Sequence, residues 1–160
     1  VKEQKGITLI ILVVTIILLL ILMSISIPFS RKVIDDTKLN QFSSELQVIQ
    51  KKLGVIADEI SMGSNAYDKI GLKIVDPAST DFQNLSSNNQ TTVTEAWQIL
   101  QDPNLNISSD EMDNFVLLTA DDLNTIGISK INQSVLVNYS TQQVVSFTGI
   151  TVGGVTYYTY

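Results

Sequence analysis

The sequence predicts an α+β fold: a long N-terminal helix, membrane-spanning in its first half and amphipathic in its second, packed on a C-terminal antiparallel sheet. Three observations predict it. Residues 7–29 carry no charge, Leu39 to Ile60 place an apolar side chain at every third or fourth position, and the last stretch alternates apolar and polar residues between turn signals.

The uncharged run opens after the charged leader Val1-Lys2-Glu3-Gln4-Lys5-Gly6 and interrupts its apolar residues only with Thr8, Thr15, Ser24 and Ser26. As a helix, Ile7 to Ile27 reaches about 32 Å at roughly 1.5 Å per residue, enough for a hydrocarbon core of about 30 Å. An uncleaved signal anchor is one reading of this run. A secretory signal cut after Ser24-x-Ser26 is another, but the run exceeds the usual apolar core of about 7–15 residues. Basic residues flank both ends, Lys2 and Lys5 before it and Arg31, Lys32 and Lys38 after it, so their count does not fix orientation.

The same residues resemble the class III signal of type IV pilins and type II secretion pseudopilins. Lys5-Gly6 precedes the apolar run, Ile7-Thr8-Leu9-Ile10 opens it, and Pro28 stands near its end. The resemblance covers about 30 residues and implies a pilin-like architecture for the rest. It implies cleavage after Gly6 by a prepilin peptidase, N-methylation of Ile7 by the same enzyme, and a helix kink at Pro28. Lys5, Thr8, Leu9 and Ile10 are then the cleavage context. It also implies an N-terminus in the cytoplasm, a head outside, and partners among other pilin-like subunits, the assembly machinery and membrane lipid.

One position departs from that family. The fifth residue counted from Ile7 is Ile11, where major pilins carry a glutamate that pairs with the N-terminal ammonium of a neighbouring subunit. A buried ammonium without a counter-charge is costly. Ile11 therefore points to a minor or tip subunit, or to the clostridia-like Gram-positive variants that share a Lys-Gly-Ile-Thr-Leu-Ile start and an apolar fifth residue.

Beyond Pro28, Leu39, Phe42, Leu46, Ile49, Leu53, Ile56 and Ile60 form one helical stripe among polar neighbours. The stripe suits packing on the chain's own sheet, with a dimerising coiled-coil stem as the alternative. Ser61, Gly63 and Ser64 mark its end. The expected organisation is a leader at 1–6, a membrane or filament-core helix at 7–29, its amphipathic continuation at 30–62, and a head at 63–160.

Residues 63–133 read as irregular. Asp76-Pro77 and Ser86-Ser87-Asn88-Asn89-Gln90 are loop signals. Thr92-x-x-Glu95 predicts a capped helix through Gln101, stopped by Asp102-Pro103, with Trp97 anchored in the core beside Ile99 or Leu100. Ser108-x-x-Glu111 predicts a second helix start, and Thr119 caps a third from Ala120 to Ile126 with Gly127 past its end. Strands are expected at about 134–160. Ser134 to Tyr139 turns at Ser140 to Gln143 into Val144 to Phe147, and Gly153-Gly154 joins Thr151-Val152 to Val155 to Tyr158 as a hairpin.

The composition excludes much chemistry. There is neither histidine nor cysteine, which removes the commonest general base, the thiolate nucleophile and thiolate metal ligands. Ser129-Lys130 is mere adjacency, not a catalytic pair. No enzyme and no cofactor are expected. Asp110, Asp113, Asp121 and Asp122 are weak calcium candidates whose spacing is not that of an EF-hand, and a solvated acidic face is the better reading. From Ile74 onward Lys130 is the lone basic residue against nine acids, a field that disfavours nucleic acid.

Asn84, Asn106 and Asn138 open Asn-x-Ser triplets, and Tyr157, Tyr158 and Tyr160 offer a platform for carbohydrate or a partner. The function expected is a non-enzymatic pilin-like or pseudopilin subunit of a type IV pilus or type II secretion-like filament. The alternative is a single-pass, membrane-anchored extracellular binding module that does not polymerise. The sequence names no ligand for the head.

Overall fold

The apolar stripe and the alternating segments meet in a layered α+β head. The computed structural model describes residues 3–68 and 70–160, and side chains among these except at 3–8 and 25–30. The chain divides into two compact units, Val1–Asn40 and Gln41–Tyr160. Helix α1 (Glu3–Ser61) supplies residues to both.

In the first unit every described residue is helical. Pro28 occupies a helical position, but its side chain, and with it the expected kink, lies outside the described residues. Thr15 Oγ1 donates to the Leu12 carbonyl at 2.8 Å and Ser24 Oγ to that of Ile21 at 2.7 Å. Both hydroxyls are thus satisfied by their own helix and need no water.

In the second unit α1 buries Phe42, Leu46, Ile49, Leu53 and Ile56, the expected stripe, with Ile60 partly buried behind them. Its partner is a four-stranded antiparallel sheet of order β1-β2-β3-β4, built from β1 (Leu72–Lys73), β2 (Phe115–Leu118), β3 (Val135–Asn138) and β4 (Gln143–Ser146). The register pairs Leu117 with Leu136 and Leu136 with Val145, and on alternate rungs Val116 with Val137 and Val137 with Val144. Leu118, Val135, Val137 and Val144 face α1. Phe115, Leu117, Leu136 and Val145 face the opposite way, onto Val93, Ala96 and Leu100 of α3 (Ser87–Leu100). The sheet is therefore covered on both faces, and all of β3 is buried. A strand covered on both sides reads as a continuous apolar run rather than an alternation.

That explains the main correction to the sequence reading. Residues 63–133, expected to be irregular, contribute β1 and β2, half of the four-stranded sheet. Phe115-Val116-Leu117-Leu118 is uniformly apolar, so periodicity carries no strand signal there. Of the strands expected near the C-terminus, β3 and β4 join that sheet. β5 (Ile150–Val152) and β6 (Val155–Tyr157) pair only with each other. Gly153 and Gly154 turn between them at φ of 59° and 84°, as the glycine pair predicts. The Ser146 N–H donates to the Tyr158 carbonyl at 2.7 Å, tying the hairpin's end to β4.

The second correction concerns α3. It begins at Ser87, not at Thr92, and absorbs most of the expected loop. Ser86 is its N-cap, accepting from the Asn89 N–H at 3.4 Å. Gln90 Nε2 donates to the carbonyls of Phe82 and Leu85, both at 3.2 Å, closing off the end of α2 (Thr80–Gln83). Thr92 is interior and donates its hydroxyl to the Asn88 carbonyl. A polar run thus became helix because side chains satisfied the backbone groups on either side of its start.

The other caps agree with expectation. In α4 (Ser109–Met112) the Glu111 carboxylate accepts from the Ser108 N–H and hydroxyl. In α5 (Ala120–Thr125) Asp122 does the same for Thr119, and Gly127 follows at φ 84°. Trp97 is half-buried on the second core, where Leu100 is fully buried.

Candidate functional site: an apolar helix surface and the clefts of the head

In the first unit the side chains described from Leu9 to Met23 present apolar surface on every side of α1. Their large hydrophobic residues are 48% (Val13) to 64% (Leu9) exposed. A helix apolar all round is stable only where something apolar surrounds it, a bilayer or other helices. Among the described residues no helix is long and apolar enough to cross a membrane. The run at 7–29 extends past them at both ends, since the side chains of Ile7, Thr8 and residues 25–29 lie outside the described set. Lys5, Gly6, Ile7 and Thr8, the positions at which the sequence resemblance implies processing, fall there too. Leu9, Ile10 and Ile11 are described and exposed, and Ile11, at 57%, offers hydrocarbon where a carboxylate would be needed to hold an ammonium.

In the second unit a groove follows the C-terminal segment. One cleft of about 570 Å³ is lined by Glu95, Ile99, Asp102, Phe147 and Tyr158 among others. A neighbour of about 230 Å³ shares Asp102 and Tyr158 and adds Leu105, Val155 and Tyr157. Neither is lined by a basic residue. Asp102 is already committed, since its Oδ1 accepts from the Asn104 N–H at 2.9 Å and side-chain amide at 2.8 Å. Of the tyrosines read as a platform, Tyr157 and Tyr160 are exposed. Tyr158 is half-buried and tethered through its carbonyl.

Another cleft of about 250 Å³ lies at the β1 end of the sheet, between Ile60, Tyr67, Gly71, Lys73, Asp113 and Tyr139. The Tyr67 hydroxyl donates to Glu59 Oε2, and this bond to a carboxylate raises its pKa. The Tyr139 hydroxyl is buried with no hydrogen-bond partner among the described residues. Burial chiefly, with the charges of Asp122 and Tyr67 added, pushes it up to about 12.

No protein-family model, curated protein or solved structure matches this chain.

Two of the four acidic residues singled out for calcium, Asp113 and Asp122, are spent on backbone. Asp122 caps α5, and Asp113 Oδ1 accepts from the Asp76 N–H at 3.0 Å. Among the described residues no group of three or more acidic side chains is arranged to hold a metal ion. The Asn-x-Ser triplets separate by burial. Asn84 and Asn106 are exposed, Asn106 in a left-handed conformation at φ 52°, and Asn138 is buried. Asn138 Oδ1 instead accepts from the N–H groups of Ser140 and Thr141, shaping the β3–β4 turn.

Proposed function

We propose that the chain is a non-enzymatic pilin-like or pseudopilin subunit, processed after Gly6 and assembled from the cytoplasmic membrane into a type IV pilus or secretion-like filament. The observation that carries this reading is the helix surface from Leu9 to Met23, apolar on every side and exposed. Such a surface demands lipid before assembly and neighbouring helices after it. The Lys5-Gly6-Ile7-Thr8-Leu9-Ile10 start supports the same reading, because it joins a cleavage signal to a segment that remains in the mature protein. The α+β head, with α1 laid on an antiparallel sheet, is compatible with it. In this reading the N-terminus is cytoplasmic, the acidic head lies outside, and the partners are a prepilin peptidase, sister subunits and lipid.

Ile11 supports a minor or tip position for such a subunit, where no preceding ammonium has to be neutralised. The same residue favours the second reading, a membrane-anchored binding module that never polymerises. Gly6→Phe discriminates a processed subunit from an anchor. It should block cleavage and assembly while the protein stays in the membrane, and normal processing of that variant would sink the assignment.

A further inference from the structure

We infer that the groove along the C-terminal segment of the head binds an extended, arginine-bearing segment of a partner protein. The groove starts at the C-terminal end of α3. Glu95, Gln98 and Ile99 share one face of that helix, and Asp102 follows just past its C-cap, Gln101. α3 has no basic residue in its last turn, so nothing there offsets the negative pole of its aligned peptide dipoles. Glu95 makes no hydrogen bond or ion pair among the described residues, and Asp102 spends only Oδ1 on Asn104. Two carboxylates and a helix C-terminus thus converge on a cleft of about 570 Å³ that no basic residue lines. Phe147 and Tyr158 line it as well. Aromatic rings attract a guanidinium, and carboxylates can take two of its bonds at once, so this lining suits arginine better than lysine. From Ile74 onward nine acids stand against Lys130 alone, and the surrounding field draws the same sign of charge.

The shape selects a polypeptide. The second cleft shares Asp102 and Tyr158 with the first and continues it between the 3-10 turn Pro103–Leu105 and β6. Residues 155–159 line this second cleft without a gap. Side chains alternate between the two faces of a strand, so an unbroken run places the cleft along the edge of β6 and not on a face. β6 pairs with β5 alone, which leaves its other edge open. An extended segment that adds to this edge continues past Tyr158 into the acidic cleft, where its side chains meet Asp102 and Glu95. A small cation would use the carboxylates and leave the strand edge unused. This inference rests on the head alone and is independent of cleavage at Gly6.

Full-length protein in a non-ionic detergent is titrated, at physiological salt, into a short fluorescent peptide that alternates arginine with threonine, and anisotropy reports binding. Glu95→Gln with Asp102→Asn should weaken binding at least about tenfold. Asparagine keeps the acceptor oxygen that the Asn104 N–H uses, so the turn after α3 survives the change. Asp81→Asn with Asp121→Asn, an equal change of charge on exposed acids outside the groove, should alter binding less than about twofold. Two further peptides are N-methylated, one at every arginine and one at every threonine. Pairing with a strand edge uses the N–H groups of one set only, so one of the two should bind at least about tenfold weaker than the other. Lysine in place of arginine should cost at least about threefold. No binding of the parent peptide, or equal losses in the two double variants, would overturn the inference. So would equal affinity of the two N-methylated peptides, or of the lysine peptide and its parent. Displacement of the peptide by an equal concentration of spermidine would mark a site for small cations and overturn it too.

Discussion

Gln133 Nε2 donates to Glu45 Oε2 at 3.0 Å, joining the segment before β3 to α1 across 88 residues of sequence. The bond is one link in a chain of polar contacts. Gln133 Oε1 accepts from the buried Ser146 hydroxyl at 3.0 Å, and Ser146 Oγ accepts from the Gly149 N–H at 2.9 Å. Gln41 holds the other Glu45 oxygen at 3.0 Å. Helix, sheet and the approach to the C-terminal hairpin are thus fixed together by groups that satisfy one another.

Ser146→Ala leaves the Gly149 N–H and Gln133 Oε1 without this partner in a buried place. It should cost about 1–3 kcal/mol. Urea unfolding of the variant, read as a lower midpoint at unchanged slope, checks this.

Gly71→Ala should be among the most damaging small substitutions. Gly71 has φ of 84°, and an added Cβ would stand 2.6 Å from the Leu117 carbonyl oxygen, Leu118 Cδ2 and Val116 Cγ1. Left-handed strain and overpacking together should cost about 2–5 kcal/mol. Gly153→Ala, at φ 59° with nothing within 4 Å, should cost about 1–2 kcal/mol from strain alone. Equal losses in thermal unfolding would contradict the geometry.

Tyr139→Phe should be neutral or mildly stabilising, because the hydroxyl it removes has no hydrogen-bond partner among the described residues. It should also alter the alkaline limb of stability. The Tyr139 pKa rises from 10.0 unfolded to about 12 folded, so the folded state keeps a proton that the unfolded state loses. Its contribution is complete below pH 10 and is lost as pH rises from 10 to about 12. Denaturation midpoints across that range should fall less steeply in Tyr139→Phe than in the parent protein.

Leu18→Arg places a charge in the middle of the apolar helix surface, and on the proposed membrane role it should cost about 3 kcal/mol of insertion. Fractionation of cells expressing it should show loss from the membrane. Retention equal to that of the parent protein would contradict a membrane role for residues 7–29.

What the sequence revealed follows the physics of each segment. The buried face of α1 was legible because one side of a helix on a sheet repeats at three and four residues, from Phe42 to Ile60. The Gly153-Gly154 hairpin and the caps at Ser108 and Thr119 were legible because their signals are local. β2 was hidden because Phe115 and Leu117 face one core while Val116 and Leu118 face the other. The start of α3 was hidden because Gln90 reaches the carbonyls of residues five to eight positions earlier, contacts that no local pattern announces. Of the candidate sites, the apolar surface at Leu9 to Met23 was plain in composition. The clefts around Asp102 and Tyr139 join residues from distant elements and could only be seen folded.

Intact-mass and N-terminal peptide mass spectrometry on the protein from native membranes tests the proposed function most directly. A mature chain beginning at N-methylated Ile7 is the predicted result. A chain that keeps Lys5-Gly6 ahead of Ile7, or one that starts near Ile27, would contradict it.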